Sequence, residues 1–147
     1  NGLETKVVDG TTFPAFAAHN GGKTVASGAW IQMTPNVENF DTNTNYNTST
    51  YTFTPTKVGY YWLYARTTFT TAGDDTGAKV SIYKNGAIYS GSNSYTGIKG
   101  PGSSVLAIAC GTLAYANGTT DNFTAYLNAI DASITFGAYE FMGCRVV

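Results

Sequence analysis

The chain has 147 residues, of which 43% are hydrophobic and only 12% charged, with a net charge of −1; ordinary soluble domains carry about twice that charged share. One domain of this length buries roughly 70% of the surface its unfolded chain exposes, so it needs no covalent staple, and the two cysteines are too few to mark a disulfide scaffold. The eight Lys and Arg are scattered, which argues against a nucleic-acid partner, and no run approaches the roughly 20 apolar residues of a membrane helix.

Residues 1–12 (NGLETKVVDGTT) read as a polar lead-in or linker ahead of one domain spanning 13–147. The chain begins Asn1-Gly2 rather than Met and is expected to be an excised or processed piece. Short apolar runs then alternate with turn clusters, the pattern of a sandwich or barrel. The expected strands are Phe13–Ala18, Thr24–Thr34, Tyr51–Thr54, Gly59–Phe69, Ala78–Lys84, Ala87–Tyr89, Ser103–Tyr115, Asn122–Ala129 and Thr135–Val147. Between them stand Pro55-Thr56-Lys57, Gly73-Asp74-Asp75, Asn85-Gly86, Gly100-Pro101-Gly102 and Asn117-Gly118, all carrying turn chemistry. Asn85-Gly86 is the strongest hairpin signal. The 11 Tyr suit a pleated surface, and no window has helical periodicity. The fold class is all-β.

Three strands are apolar on both faces: YYWLYA within Gly59–Phe69, VLAIAC within Ser103–Tyr115, and FMGCRVV at the end of the chain. A sandwich strand with one wet face should alternate apolar and polar residues. One side of each strand fills the core, and in a small domain the expected cover for the other side is a further subunit. Alternation puts Trp62, Tyr64 and Arg66 on one face of their strand and Tyr61, Leu63 and Ala65 on the other.

In chain order, FPAFAAH, FDTNTNYNTSTYTFTPTKVGYYWLYA, VSIYKNG, LAYANGTTDNFTAYL and EFMGCRVV resemble the spaced motifs of the C1q/tumour-necrosis-factor superfamily over residues 13–147. Two departures stand out: Arg145 occupies a position the family usually fills with an apolar residue, and no collagen-like Gly-X-Y stalk is present. The resemblance implies a ten-strand antiparallel jelly-roll sandwich that assembles as a homotrimer. It assigns Trp62, Tyr64 and Arg66 to the trimer axis, and by extension Leu106, Ile108 and Cys110 with Phe141, Gly143 and Arg145. It places the Gly59–Phe69 strand between the strands of Cys110 and Cys144, which leaves the thiols unbonded. Cys110 is expected to face the axis, and Cys144 the core with Met142 and Val146. Both thiols are expected to be buried and inert.

No catalytic residues are expected. His19 is the one histidine, and no spacing supports a Cys–His pair, a triad, a phosphate loop or a zinc cluster; the nine carboxylates leave a glycosidase pair open, with solvated loop acids the favoured reading. Three sequons occur, at Asn47, Asn117 and Asn122. The fold implied by resemblance puts the chain's entry at one end, the base, together with Pro55–Val58, Asn85-Gly86 and Ala116–Asp121. The apex carries Thr70–Gly77, Ser90–Gly102 and Ile130–Ser133. Its Asp74, Asp75 and Asp131 with Tyr95 form the expected ligand site, for a glycan or a cell-surface receptor. Adjacent Asp74 and Asp75 also suit calcium, which some relatives bind near the apex. The expected function is a non-enzymatic trimeric head at the tip of a phage or bacterial fibre or in a secreted C1q-like protein. Its partners would be itself and a receptor, glycan, virion or fibre shaft, at an extracellular location or virion surface. The alternative is a structural trimer, such as a capsid decoration or an extracellular matrix protein.

Overall fold

The computed structural model describes residues 13–70, 76–89, 94–98, 105–130 and 132–146; the expected lead-in over 1–12 lies outside them. The strands are β1 (Ala15–Val25), β2 (Trp30–Gln32), β3 (Val37–Asp41), β4 (Tyr46–Asn47), β5 (Thr52–Phe53), β6 (Gly59–Thr70), β7 (Thr76–Lys84), β8 (Ala87–Ile88), β9 (Ser94–Ile98), β10 (Val105–Ala116), β11 (Phe123–Ala129) and β12 (Ile134–Arg145). They pair antiparallel in two sheets that pack face to face as a jelly-roll sandwich. The first sheet has the order β10-β6-β12-β1-β3. The second runs β4-β5-β11-β7-β8, with β2 added on β11 and β9 on β7. Its seven segments fill five positions, because β2 and β5 share one edge of β11 while β8 and β9 share one edge of β7. The sandwich therefore has the ten strand positions that the sequence resemblance implies.

The turns form where the local chemistry directs. Asn85 and Gly86 both have positive φ, 52° and 80°, and close the β7–β8 hairpin between Lys84 and Ala87, as an Asn-Gly hairpin requires. The expected strand over Thr24–Thr34 is divided instead. Its start belongs to β1, which stays paired with β12 from Ala15 to Val25, and its middle becomes β2. β3 reads VENFD, whose Asn, Glu and Asp hide it from composition-based reading.

Between the sheets lies one hydrophobic core. Phe16 stacks on Tyr46 and Phe53 with ring centroids 4.9 and 4.3 Å apart and meets Phe141 edge-on at 5.0 Å. Burying a side chain of that size contributes roughly 1.5–3 kcal/mol. Two buried hydroxyls find partners: Tyr46 donates to Pro35 O at 2.8 Å, and Tyr139 shares a 2.7 Å bond with Thr34. Burial pushes the Tyr46 phenol well above its ordinary range. Alternation on β6 falls as expected, with Tyr61, Leu63 and Ala65 fully buried and Trp62 and Arg66 exposed.

Pro14 and the C-terminal end of β12 meet at the base, where Arg145 N donates to Pro14 O at 2.8 Å and Val146 N to Tyr60 O at 2.7 Å. The turn over 117–121 and the Asn85-Gly86 hairpin share that end, joined by Asn85 Nδ2 donating to Asp121. The opposite end begins at Thr70, which pairs with Val105.

Candidate functional site

The outward face of the first sheet is the feature that the core does not explain. Residues directly opposed across an antiparallel ladder share a face. Trp62 opposes Leu113 on β10 and Cys144 on β12, and Cys144 opposes Ala15 on β1. These four residues make one row across four strands. Tyr64 opposes Gly111 and Met142, and Tyr60 opposes Tyr115. The face carries Phe40, Tyr60, Trp62, Val105, Leu113 and Tyr115, which are between 44% and 72% exposed. Tyr60 and Tyr115 meet edge-on at 5.5 Å.

Trp62 leans toward β10. A Cβ at Gly111 would lie 2.8 Å from its Cζ2, so the indole lies across the space that the glycine leaves. On its other side a cleft of about 270 Å³ opens, floored by Ala15, Ala17 and Cys144 and walled by Phe40 and Trp62. The short side chains of the floor between two tall rings make the depression.

One charged row crosses the same face. Arg66 donates Nε and Nη2 to the two carboxylate oxygens of Glu140 at 2.8 and 2.7 Å, and His19 opposes Glu140 on β1. The guanidinium holds the Glu140 carboxyl below the usual range, and the carboxylate raises Arg66 in return. His19 Nδ1 is enclosed without a hydrogen-bond partner. His19 stands four residues from Ala15 along β1, about 13 Å at 3.3 Å per residue, so it forms no pair with Cys144.

The structure corrects several expected facings. Ile108, Cys110 and Phe141 are buried in the core, and Leu106 packs against it; none of the four faces outward. Gly143 is buried too, its Cα hydrogens against Leu63 and Phe16. Arg145 opposes Tyr61 at the base, where Nε and Nη2 donate to Val58 O at 3.2 and 2.9 Å. Met142 and Cys144 line the outer cleft instead of the core. The error is one residue of register on β10 and β12. Both strands are apolar on both faces, so alternation there carries no sign, and only pairing with β6 decides it. The cysteines do point to opposite sides, reversed from expectation. With β6 between their strands, about 10 Å separates them, beyond the roughly 7 Å a disulfide bridges. Both are free. Cys110 is buried and its thiol is pushed up to about 12 by that burial; Cys144 is half-buried.

Of the expected apex site, Asp74, Asp75 and Asp131 lie outside the described residues. Tyr95 belongs to β9, its backbone opposite Lys79, and its side chain is outside the description. Among the described residues no three of His, Cys, Asp and Glu gather as a metal site, and no helix is long and apolar enough to cross a membrane. The sequence reading missed Phe40, Leu113, Tyr115 and Glu140. The i, i+2 pair Leu113 and Tyr115 was the available signal.

No protein-family model matches the sequence, and no curated protein does. Solved structures do match. The globular domain of the zebrafish complement 1qA protein superposes with a TM-score of 0.60 at 13% identity, covering 91% of this chain and 97% of that one. Eiger TNF from S. frugiperda gives 0.56 at 11%, covering 91% and 94%, and murine APRIL 0.53 at 9%, covering 91% and 99%. Each covering 91% of this chain, these likenesses establish the fold: a jelly-roll sandwich like those of the C1q and tumour-necrosis-factor domains it superposes on.

Proposed function

We propose that this chain is a non-enzymatic head domain in which three copies associate through the outward face of the first sheet, leaving the apex loops to bind a cell-surface receptor or glycan. The observation that carries the reading is the exposed row of aromatic and aliphatic side chains on that face. Monomeric proteins rarely expose a contiguous apolar patch beyond a few hundred Å². Five strands about 4.8 Å apart and about 3.3 Å per residue, the longest of 12 residues, make a face on the order of 800 Å². A threefold ring divides that face between two neighbours, about 400 Å² to each.

The ends of the sandwich give the second half of the reading. Pro14 and Val146 lie together at the base, so a shaft or particle joined there leaves the apex outward. At the apex Asp74, Asp75 and Asp131 with Tyr95 remain the proposed ligand residues, with calcium at Asp74 and Asp75 as a bridging ion. A fibre tip or a secreted C1q-like protein, outside the cell or on a virion, fits this arrangement.

Light scattering at micromolar concentration tests assembly: a trimer is expected, and a monomer overturns the reading. Binding to cells or a glycan array then tests the apex. Tyr95→Ala and the double Asp74→Ala/Asp75→Ala variant should remain trimeric and lose binding, while a chelator should weaken it. Undiminished binding by these variants would rule out the apex site.

A further inference from the structure

We propose that the outward face works as knob and hole: Leu113 of one copy, backed by Tyr115, inserts into the cleft between Phe40 and Trp62 of the next. This rests on the self-association reading above and adds which residues meet. Three observations carry it. The hole and the knob sit on opposite flanks of one face. The cleft lies over β1 and β12, and Leu113 projects from β10, the edge strand at the far side of β6. A flat patch would carry both features mixed together, whereas a head-to-tail ring needs two different flanks.

The second observation is height. Rotation about an axis running along the strands moves no residue along that axis, so in a closed ring a knob enters only a hole at its own level. Leu113 stands in the row Ala15–Cys144–Trp62–Leu113, the row that floors the cleft. Val105, on the same face of the same strand, opposes Thr70 at the other end and is out of reach of the cleft.

The third is size and chemistry. Small-molecule sites run from roughly 300 to 1,000 Å³ and place a few polar groups among apolar walls. The cleft holds about 270 Å³. Its floor is Ala15, Ala17 and Cys144, its walls are Phe40, Trp62 and Tyr64 with Met142, and the surface they present is almost wholly apolar. That suits one aliphatic side chain better than a ligand needing hydrogen bonds. The bidentate Arg66–Glu140 pair, already satisfied within the chain, sits to one side and demands no charged partner.

Cys144 in the cleft floor supplies the test. Leu113→Cys should form a chain-to-chain disulfide with Cys144 under mild oxidation, because bonding requires Cα atoms within about 7 Å. Non-reducing gels should show covalent dimers and trimers. Wild type should show none, and Leu113→Cys/Cys144→Ser none. Covalent dimers alone would indicate a twofold pair and overturn the ring. A protein that scatters as a trimer but yields no link overturns the knob-and-hole contact while leaving self-association standing; a monomeric wild type removes the self-association reading itself. A second pair covers the case in which the cysteine variant fails to assemble. Leu113→Glu should weaken assembly at least tenfold and Val105→Glu, on the same face but away from the cleft, by a smaller factor; equal effects of the two defeat the assignment.

Discussion

Trp62 shows how one glycine decides where a ring goes. Its indole lies over Gly111, and a methyl there would stand 2.8 Å from Cζ2. Gly111→Ala should therefore push the ring toward the cleft, shift its fluorescence and weaken assembly, with only a small change in the urea midpoint. An unchanged emission spectrum would contradict this. Trp62→Ala should cost association on the order of 2 kcal/mol or more, as buried aromatic anchors do. Chain stability should change little, because the ring is 46% exposed in the single chain. Gly143 differs because it faces inward. A Cβ would meet Leu63 Cδ2 at 2.6 Å, Phe16 Cε1 at 3.0 Å and Trp62 O at 3.1 Å. Gly143→Ala should lower stability by about 1–3 kcal/mol, the usual penalty for overpacking a tight core. The thiols separate similarly. Denatured protein should titrate two free thiols per chain, while in the native state Cys110 should stay unreactive.

At the scale of elements, one carboxylate joins two turns at the base. Asp121 accepts from Asn85 Nδ2 at 2.8 Å and Asn117 N at 2.9 Å and pairs with Lys84 Nζ at 2.9 Å. It thereby ties the β7–β8 hairpin to the β10–β11 turn. The Asn85 amide first, with Lys84 and the Asn117 N–H, holds its carboxyl below the ordinary range. A carboxyl whose folded pKa is depressed adds stability that is fully present above its unfolded value, near 3.9 for Asp. That stability fades as pH falls through the lowered folded value. The chain should thus lose stability below about pH 4. Asp121→Asn should flatten that acid limb and cost about 1–3 kcal/mol at neutral pH. An acid limb identical to wild type would exclude the role. Glu140, lowered by Arg66, contributes in the same direction. Its partner is more than half exposed, so its share should be under about 1 kcal/mol.

For the whole molecule, stability and assembly should be coupled. Anything that binds the folded chain alone stabilises it by mass action, and here that partner is proposed to be the chain itself. The melting temperature should rise with protein concentration in wild type and become concentration-independent in Leu113→Glu. A wild-type melting temperature constant over a hundredfold dilution would count against self-association.

The features legible in the sequence were those that neighbouring residues determine. The Asn85-Gly86 hairpin follows from two residues that tolerate positive φ. The outward Trp62, Tyr64 and Arg66 follow from alternation, which groups them on one face of β6, and from the family resemblance, which assigns that face outward. The spaced motifs sufficed for a ten-position jelly roll. β10 and β12 had no polar marker near their middles: VLAIAC and FMGC are apolar at nearly every position, and a strand apolar on both faces does not say which face is the core. Register against β6 settled that, placing Cys110 inward and Cys144 outward. The short strands β3 and β4 were likewise invisible locally, since Asn, Glu and Asp there are held by pairing with β1 and β5 rather than by propensity. The cleft arises from four strands that are distant in the chain, with alanine beside tryptophan only because the ladders align them. Local pattern therefore determined the kind of surface this chain builds, and cross-strand pairing decided which residues stand on it.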